Sequence, residues 1–104
     1  MSKVVEICLF KINEGVTEEH FLEASDLFNE SFLAKQKGFI SRQFAKDGDT
    51  WSDVVLWESM EDAMNAVKAF EHALTVEDPA VMTYGLCINE EDCTMQHLTI
   101  VKSY

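Results

Sequence analysis

Basic residues are scarce in this chain. Eight Lys and Arg stand against nineteen Asp and Glu, a formal net charge of −11, and Arg42 is the only arginine. That deficit argues against nucleic acid, whose phosphates demand a basic footprint, and against an anionic membrane surface. Long apolar runs are missing too. The longest candidate, Val4 to Ile12, is interrupted by Glu6 and Lys11. Neither a signal peptide nor a stretch of ~18 apolar residues is present, so the expected location is cytoplasmic. Cysteine occurs three times, at Cys8, Cys87 and Cys93, with no C-x-x-C pair. An odd count without such a pair fits neither a disulfide framework nor a zinc knuckle, and three free thiols are expected. Cys8 reads as a small buried hydrophobe, and only Cys87 and Cys93, flanking an acidic turn, are close enough in sequence to suggest pairing on oxidation. There is no Gly-rich phosphate loop, no G-x-S-x-G and no dinucleotide fingerprint, so no cofactor is expected.

What is present is the makings of a core. The 104 residues are 47% hydrophobic and include seven Phe, two Trp and two Tyr, which rules out disorder as a description of the whole chain. A chain this long forms one domain over 1–104 and buries roughly 60–70% of its unfolded surface.

Residues 4–12 are short and β-branched, predicting a strand whose faces are Val5, Ile7, Leu9 and Glu6, Cys8, Phe10, Ile12. Thr17 is an N-cap followed by Glu18 and Glu19, and Phe21, Ala24 or Ser25, Phe28 and Phe32 keep a helical period, predicting a helix over 17–36 that ends before Gly38. Phe39–Lys46 and Trp51–Trp57 flank the hairpin signal Asp47-Gly48-Asp49. Ser59-Met60-Glu61-Asp62 is a near capping box opening a helix over 59–74. Pro79 starts a short helix through Tyr84, residues 87–92 form a loop, and Thr94–Val101 is the last strand. The order β-α-β-β-α-β is the ferredoxin-like split βαβ, an α+β fold with a four-stranded antiparallel sheet and two helices on one face.

Two helices leave one sheet face uncovered. With Val54 and Leu56 toward the helices, that face carries Glu6, Cys8, Phe10, Ile12, Asp53, Val55, Trp57, Met95, His97, Thr99 and Val101. It is too apolar for water and too polar for an ordinary core. A homodimer packed sheet to sheet would bury it and enclose a cavity on each side.

The chain resembles the dimeric α/β-barrel proteins, specifically the antibiotic-biosynthesis-monooxygenase-like group, over roughly residues 3–101. The carriers are Lys3-Val4-Val5-Glu6-Ile7, Gly38-Phe39-Ile40-Ser41-Arg42, Asp53-Val54-Val55-Leu56-Trp57-Glu58-Ser59 with Met60-Glu61-Asp62-Ala63, and Met95-Gln96-His97-Leu98. The resemblance implies the dimeric barrel fold and a family that includes cofactor-independent oxygenases, haem-degrading enzymes, isomerases and proteins of no known activity. Haem degradation pairs a strand-1 Asn, a strand-3 Trp and a helix-2 His. Trp57 fits, but Cys8 or its neighbours stand where Asn is needed and His72 is at the wrong spacing.

His97, Glu6 and Asp53 are the sharpest candidate constellation. In the sheet order 4-1-3-2, Glu6 on the middle strand reaches toward His97 on one side and Asp53 on the other. A carboxylate-oriented His is a general base near neutrality, and in a cofactor-free oxygenase it would deprotonate a phenolic or enolic substrate. A buried His–carboxylate pair that only satisfies an interface is the plainer account. A structure with His97 pointing into the helix layer would end its candidacy as the controlling base. Trp57, Phe10, Phe39 and Tyr84 are candidates for an aromatic pocket wall, with Tyr84 as a lid, or for interface packing. Arg42 facing a cavity would grip a substrate carboxylate, although its alternation with Ile40 and Phe44 favours a helix-side or edge position. Metal sites are weak: His20 and Glu23 share an acidic helix face, and the acidic run from Asp47 lacks the ligand and glycine a calcium loop needs. The two readings are an oxygenase or isomerase acting on a small aromatic or polyketide-like molecule, and a non-catalytic dimeric binding or stress-type module.

Overall fold

The computed structural model describes residues 2–104. Its elements follow the order β1 (Val4–Phe10), α1 (Glu18–Ser31), β2 (Phe39–Asp47), β3 (Thr50–Trp57), α2 (Met60–Thr75), α3 (Pro79–Gly85) and β4 (Thr94–Thr99). The strands form one antiparallel sheet in the order β2-β3-β1-β4, the α+β ferredoxin-like arrangement expected from the sequence. No helix among the described residues is long and apolar enough to cross a membrane.

Each helix begins where a side-chain acceptor meets an unpaired backbone donor. Thr17 accepts from the His20 N–H, Ser59 from Asp62 and Asp78 from Val81. α1 is shorter than its periodicity suggests, because the chain leaves the helix at Phe32 and tightens into a 3-10 turn over Leu33–Lys35. Successive positions of a continuous helix point about 100° apart, and the break lets Phe32 and Leu33 both line one cavity. β1 stops at Phe10, leaving Ile12 a single bridge to Ile88, and β4 stops at Thr99. The loop after α3 contains a further 3-10 turn at Glu90–Asp92.

Gly38 has a positive φ of 86°, and a Cβ there would run into the Asp62 side chain. Gly38→Ala therefore combines backbone strain with a collision, and it is expected to lower stability by about 1–3 kcal/mol. An unchanged urea midpoint would refute this.

The sheet faces are the reverse of the sequence expectation. Val4, Cys8, Phe10, Trp51, Val55 and Trp57 are buried in the core with Phe21 and Phe28 of α1 and Ala63 and Ala66 of α2. Register places Glu6 beside Val55 and His97, and Cys8 beside Asp53 and Met95, so these residues also face the helices. The uncovered face carries Val5, Ile7, Leu9, Val54, Leu56 and Leu98 instead, with Leu9 44% and Leu98 45% exposed. The reason is bulk. The helix-side face holds both tryptophans with Phe10 and Phe44, and each large aromatic buried contributes more than an aliphatic side chain.

Candidate functional site

A cavity of about 480 Å³ lies between the helices and the inner sheet face. Its sheet side is Glu6, Cys8, Asp53, Trp57 and Met95. Phe28 closes it from α1 and Phe32 from just beyond that helix, Phe70 and Leu74 from α2, and Met82 and Tyr84 from α3. The α2 face that approaches the sheet carries buried Ala63 and Ala66, small side chains that leave room beneath the helix. No Lys, Arg or His lines this cavity; its titratable groups are Glu6, Asp53, Glu90, Tyr84 and two cysteines.

Two polar networks sit under the helices. In the first, Arg42 donates from Nε and Nη2 to the two oxygens of Asp53, both at 3.0 Å, and Tyr84 Oη donates to Asp53 Oδ2 at 2.9 Å. Arg42 Nη1 donates to the Ser25 carbonyl at 3.3 Å, and its guanidinium lies 4.4 Å from the centre of the Phe44 ring. Burial disfavours the Arg42 cation, but the hydrogen bonds and charge of Asp53 outweigh it and raise its pKa. Burial and the Asp53 charge push the Tyr84 phenol well above its ordinary range, so it stays a donor.

The second network joins β1 to β4. His97 Nε2 lies 2.7 Å from Glu6 Oε1, with both side chains nearly buried. An ionised Glu6 accepts from the ring N–H; a protonated one donates to the bare nitrogen. Burial raises the Glu6 pKa, the hydrogen bond and charge of His97 draw it back only in part, and the charge of Asp53 adds to the rise. Trp57 Nε1 is buried and makes no hydrogen bond. It lies near enough to Glu6 to favour the charged carboxylate slightly, without reaching bonding geometry.

The Glu6 shift has a consequence for stability. A folded-state pKa above the ordinary 4.5 means that folding favours the protonated acid. This contribution is fully present below about pH 4.5 and is lost as pH rises through the folded pKa. The stability of the native chain relative to Glu6→Gln is therefore expected to fall from acid toward neutral pH. Urea midpoints of both chains measured across that range check it; a difference that grows with pH contradicts it.

The candidate residues fare differently. Glu6, Asp53, Trp57 and Tyr84 line the cavity. His97 faces the helix layer and is absent from the wall, behind Glu6, so it cannot be the group that touches a ligand. Asp53 is held by Arg42 and Tyr84 rather than by His97. Arg42 is on the helix side, spent on Asp53, and cannot grip a substrate carboxylate. Phe10 is fully packed against Phe21 and Phe44. Phe39 lies edge-on to Trp57 and lines a shallower groove beside Arg42. Tyr84 is no lid: it is buried and stacks on Phe28 at 4.4 Å. All three cysteines are thiols, but Cys93 touches Cys8, at 3.3 Å between sulfurs, while Cys87 donates to the Thr83 carbonyl. No set of three or more His, Cys, Asp or Glu among the described residues is placed to hold a metal.

No family model matches the chain, and no curated protein matches it in sequence. Solved structures do match. A candidate antibiotic biosynthesis monooxygenase from Bordetella bronchiseptica is 17% identical, with 98% of this chain and 100% of that one covered and a TM-score of 0.74. A dimeric ferredoxin-like protein of unknown function from Thermobifida fusca is 12% identical, covering 95% and 92%, with a TM-score of 0.68. SnoaB from Streptomyces nogalater, a cofactor-independent oxygenase, is 16% identical, covering 100% and 96%, with a TM-score of 0.56. The chain thus shares its fold with these three structures, two of them monooxygenases or oxygenases by description and one a dimeric ferredoxin-like protein.

Proposed function

We propose that the chain is a cofactor-independent, monooxygenase-like enzyme acting on a small hydroxylated aromatic or polyketide-like molecule held between the helices and the sheet. The observation that carries this is Glu6: a buried carboxylate with raised pKa, backed by His97, opening into an otherwise apolar aromatic cavity. Perturbed acids in such pockets are suited to proton transfer. The absence of a cation from the wall disfavours a carboxylate-bearing ligand. Glu6, positioned by its hydrogen bond to His97, takes a proton from a carbon activated by a ring hydroxyl. Dioxygen adds to the resulting carbanion to give a peroxide. The O–O bond breaks as the remaining hydrogen on that carbon is lost as a proton, a carbonyl remains, and the departing hydroxide leaves as water with a proton returned through Glu6. The fold shared with SnoaB supports the reading.

A non-catalytic binding module is the second reading. What favours it is that Asp53, Arg42 and His97 are already satisfied within the chain. Oxygen uptake with a hydroxylated anthrone and no added cofactor separates the two. The enzyme reading expects uptake with formation of the quinone. Saturable binding without uptake favours the module.

The homodimer belongs to the same proposal, now through Val5, Ile7, Leu9, Val54, Leu56 and Leu98. Leaving such a face in water is costly at ~25 cal/mol per Å² of apolar area, and a dimeric ferredoxin-like neighbour supports the pairing. Light scattering is expected to return twice the mass of one chain, and Leu56→Asp to return the mass of one. A single-chain mass for the unaltered protein at micromolar concentration contradicts the dimer.

A further inference from the structure

The sequence offers Cys87 and Cys93 as neighbours, but the fold brings a different pair together. Cys8 on β1 and Cys93, just before β4, lie 85 positions apart in the chain with their sulfurs 3.3 Å apart. A disulfide needs about 2.05 Å, so closure from 3.3 Å requires the sulfurs to approach by little more than about 1 Å. Both cysteines line the cavity, on the same side as Glu6 and Met95. Cys8 is buried, whereas Cys93 is partly exposed at the rim, one residue beyond the short turn at Glu90–Asp92.

We propose that Cys8 and Cys93 form an oxidation site in the cavity wall, a thiol pair that closes reversibly to a disulfide when peroxide reaches it. Exposure decides the order of events. Cys93 meets hydrogen peroxide first: its sulfur takes one oxygen to become the sulfenic acid, the O–O bond breaks, and one water leaves. The Cys8 sulfur then attacks the Cys93 sulfur. The S–O bond breaks, the departing hydroxide takes the Cys8 proton, and a second water leaves. The two thiols lose two electrons and peroxide gains them. Burial, with the hydrogen bond and charge of Cys93 next, holds the Cys8 thiol well above its usual range, so Cys8 is the second of the pair to react and gives up its proton to the departing hydroxide. Cys87 takes no part, since its thiol is directed to the Thr83 carbonyl. A small-molecule dithiol reverses the bond by thiol–disulfide exchange.

The test is independent of any cavity ligand, so it stands apart from the proposed activity. The folded protein is treated with hydrogen peroxide, quenched with an alkylating reagent and mapped by peptide mass spectrometry. Free thiols are expected to fall from three to one per chain, with a Cys8–Cys93 linked peptide that dithiothreitol removes. Cys87→Ser should still form that link. Cys93→Ser, with its fold checked by circular dichroism, should keep Cys8 and Cys87 as thiols. The link should form faster in the folded chain than in the urea-unfolded one. Overturning results are a Cys87–Cys93 bridge, a bridge between chains, oxidation of Cys93 to the sulfinic acid with Cys8 unreacted, or equal rates folded and unfolded.

Discussion

Glu6→Gln is expected to reduce turnover of a hydroxylated anthrone by about 10²–10⁴-fold, the usual cost of losing a positioned general base. The fold should survive. Gln has nearly the size of Glu, keeps one oxygen acceptor for His97, and removes a carboxylate whose burial raises its pKa. Ligand affinity should change little, because the aromatic wall of Phe28, Phe70, Trp57 and Tyr84 remains. His97→Gln is the companion. Since His97 acts through Glu6, it should move the pH dependence of turnover more than the affinity. Full activity in Glu6→Gln, measured by oxygen uptake, would remove Glu6 from the chemistry.

The largest expected effect on stability is at Asp53. Its carboxylate takes two hydrogen bonds from Arg42 and one from Tyr84 while both ion-pair side chains are close to fully buried, at 7% and 10% exposure. Breaking a buried pair strands the other charge. Asp53→Asn should therefore cost about 3–5 kcal/mol. The Arg42→Met, Asp53→Asn double variant should cost less than the sum of the two single changes, because it leaves no orphaned cation. Asparagine keeps a single oxygen acceptor for donors that now share two, so Tyr84 is held less firmly in the cavity wall and affinity should fall with stability. Urea unfolding of the three variants measures this, and additive costs would contradict a coupled network.

Much of the architecture was legible from punctuation and period. Thr17, Ser59 and Pro79 mark the helix starts, Asp47-Gly48-Asp49 marks the hairpin, and alternation marks the strands. The facing of the sheet was not legible from alternation, because β1 is apolar on both sides: Val5, Ile7 and Leu9 against Val4, Cys8 and Phe10. Polar residues at Glu6, Asp53 and His97 look outward by composition. They tolerate the inside because each has a partner there. The aromatic count held the answer, since Phe10, Phe44, Trp51 and Trp57 share that face.

The site was half visible. Sheet order brings Glu6 to His97, and they do pair. The Arg42–Asp53 pair was missed, because Asp53 was placed on the open face and Arg42 on the helix side or an edge; the hairpin register, which sets Arg42 opposite Val55 and Phe44 opposite Asp53, makes them diagonal neighbours on one face. The Cys8–Cys93 contact had no local signal, because nothing short of the tertiary fold brings those positions together.

The most direct measurement is a crystal structure of the protein with a polycyclic phenol at saturating concentration. The expected ligand lies between α1, α2 and the sheet, with its rings against Trp57 and Phe70 and a hydroxyl in hydrogen-bond reach of Glu6. A ligand seated on the open Val5–Val54 face or in the groove beside Arg42, with the inner cavity empty, would contradict the assignment of this cavity as the functional site.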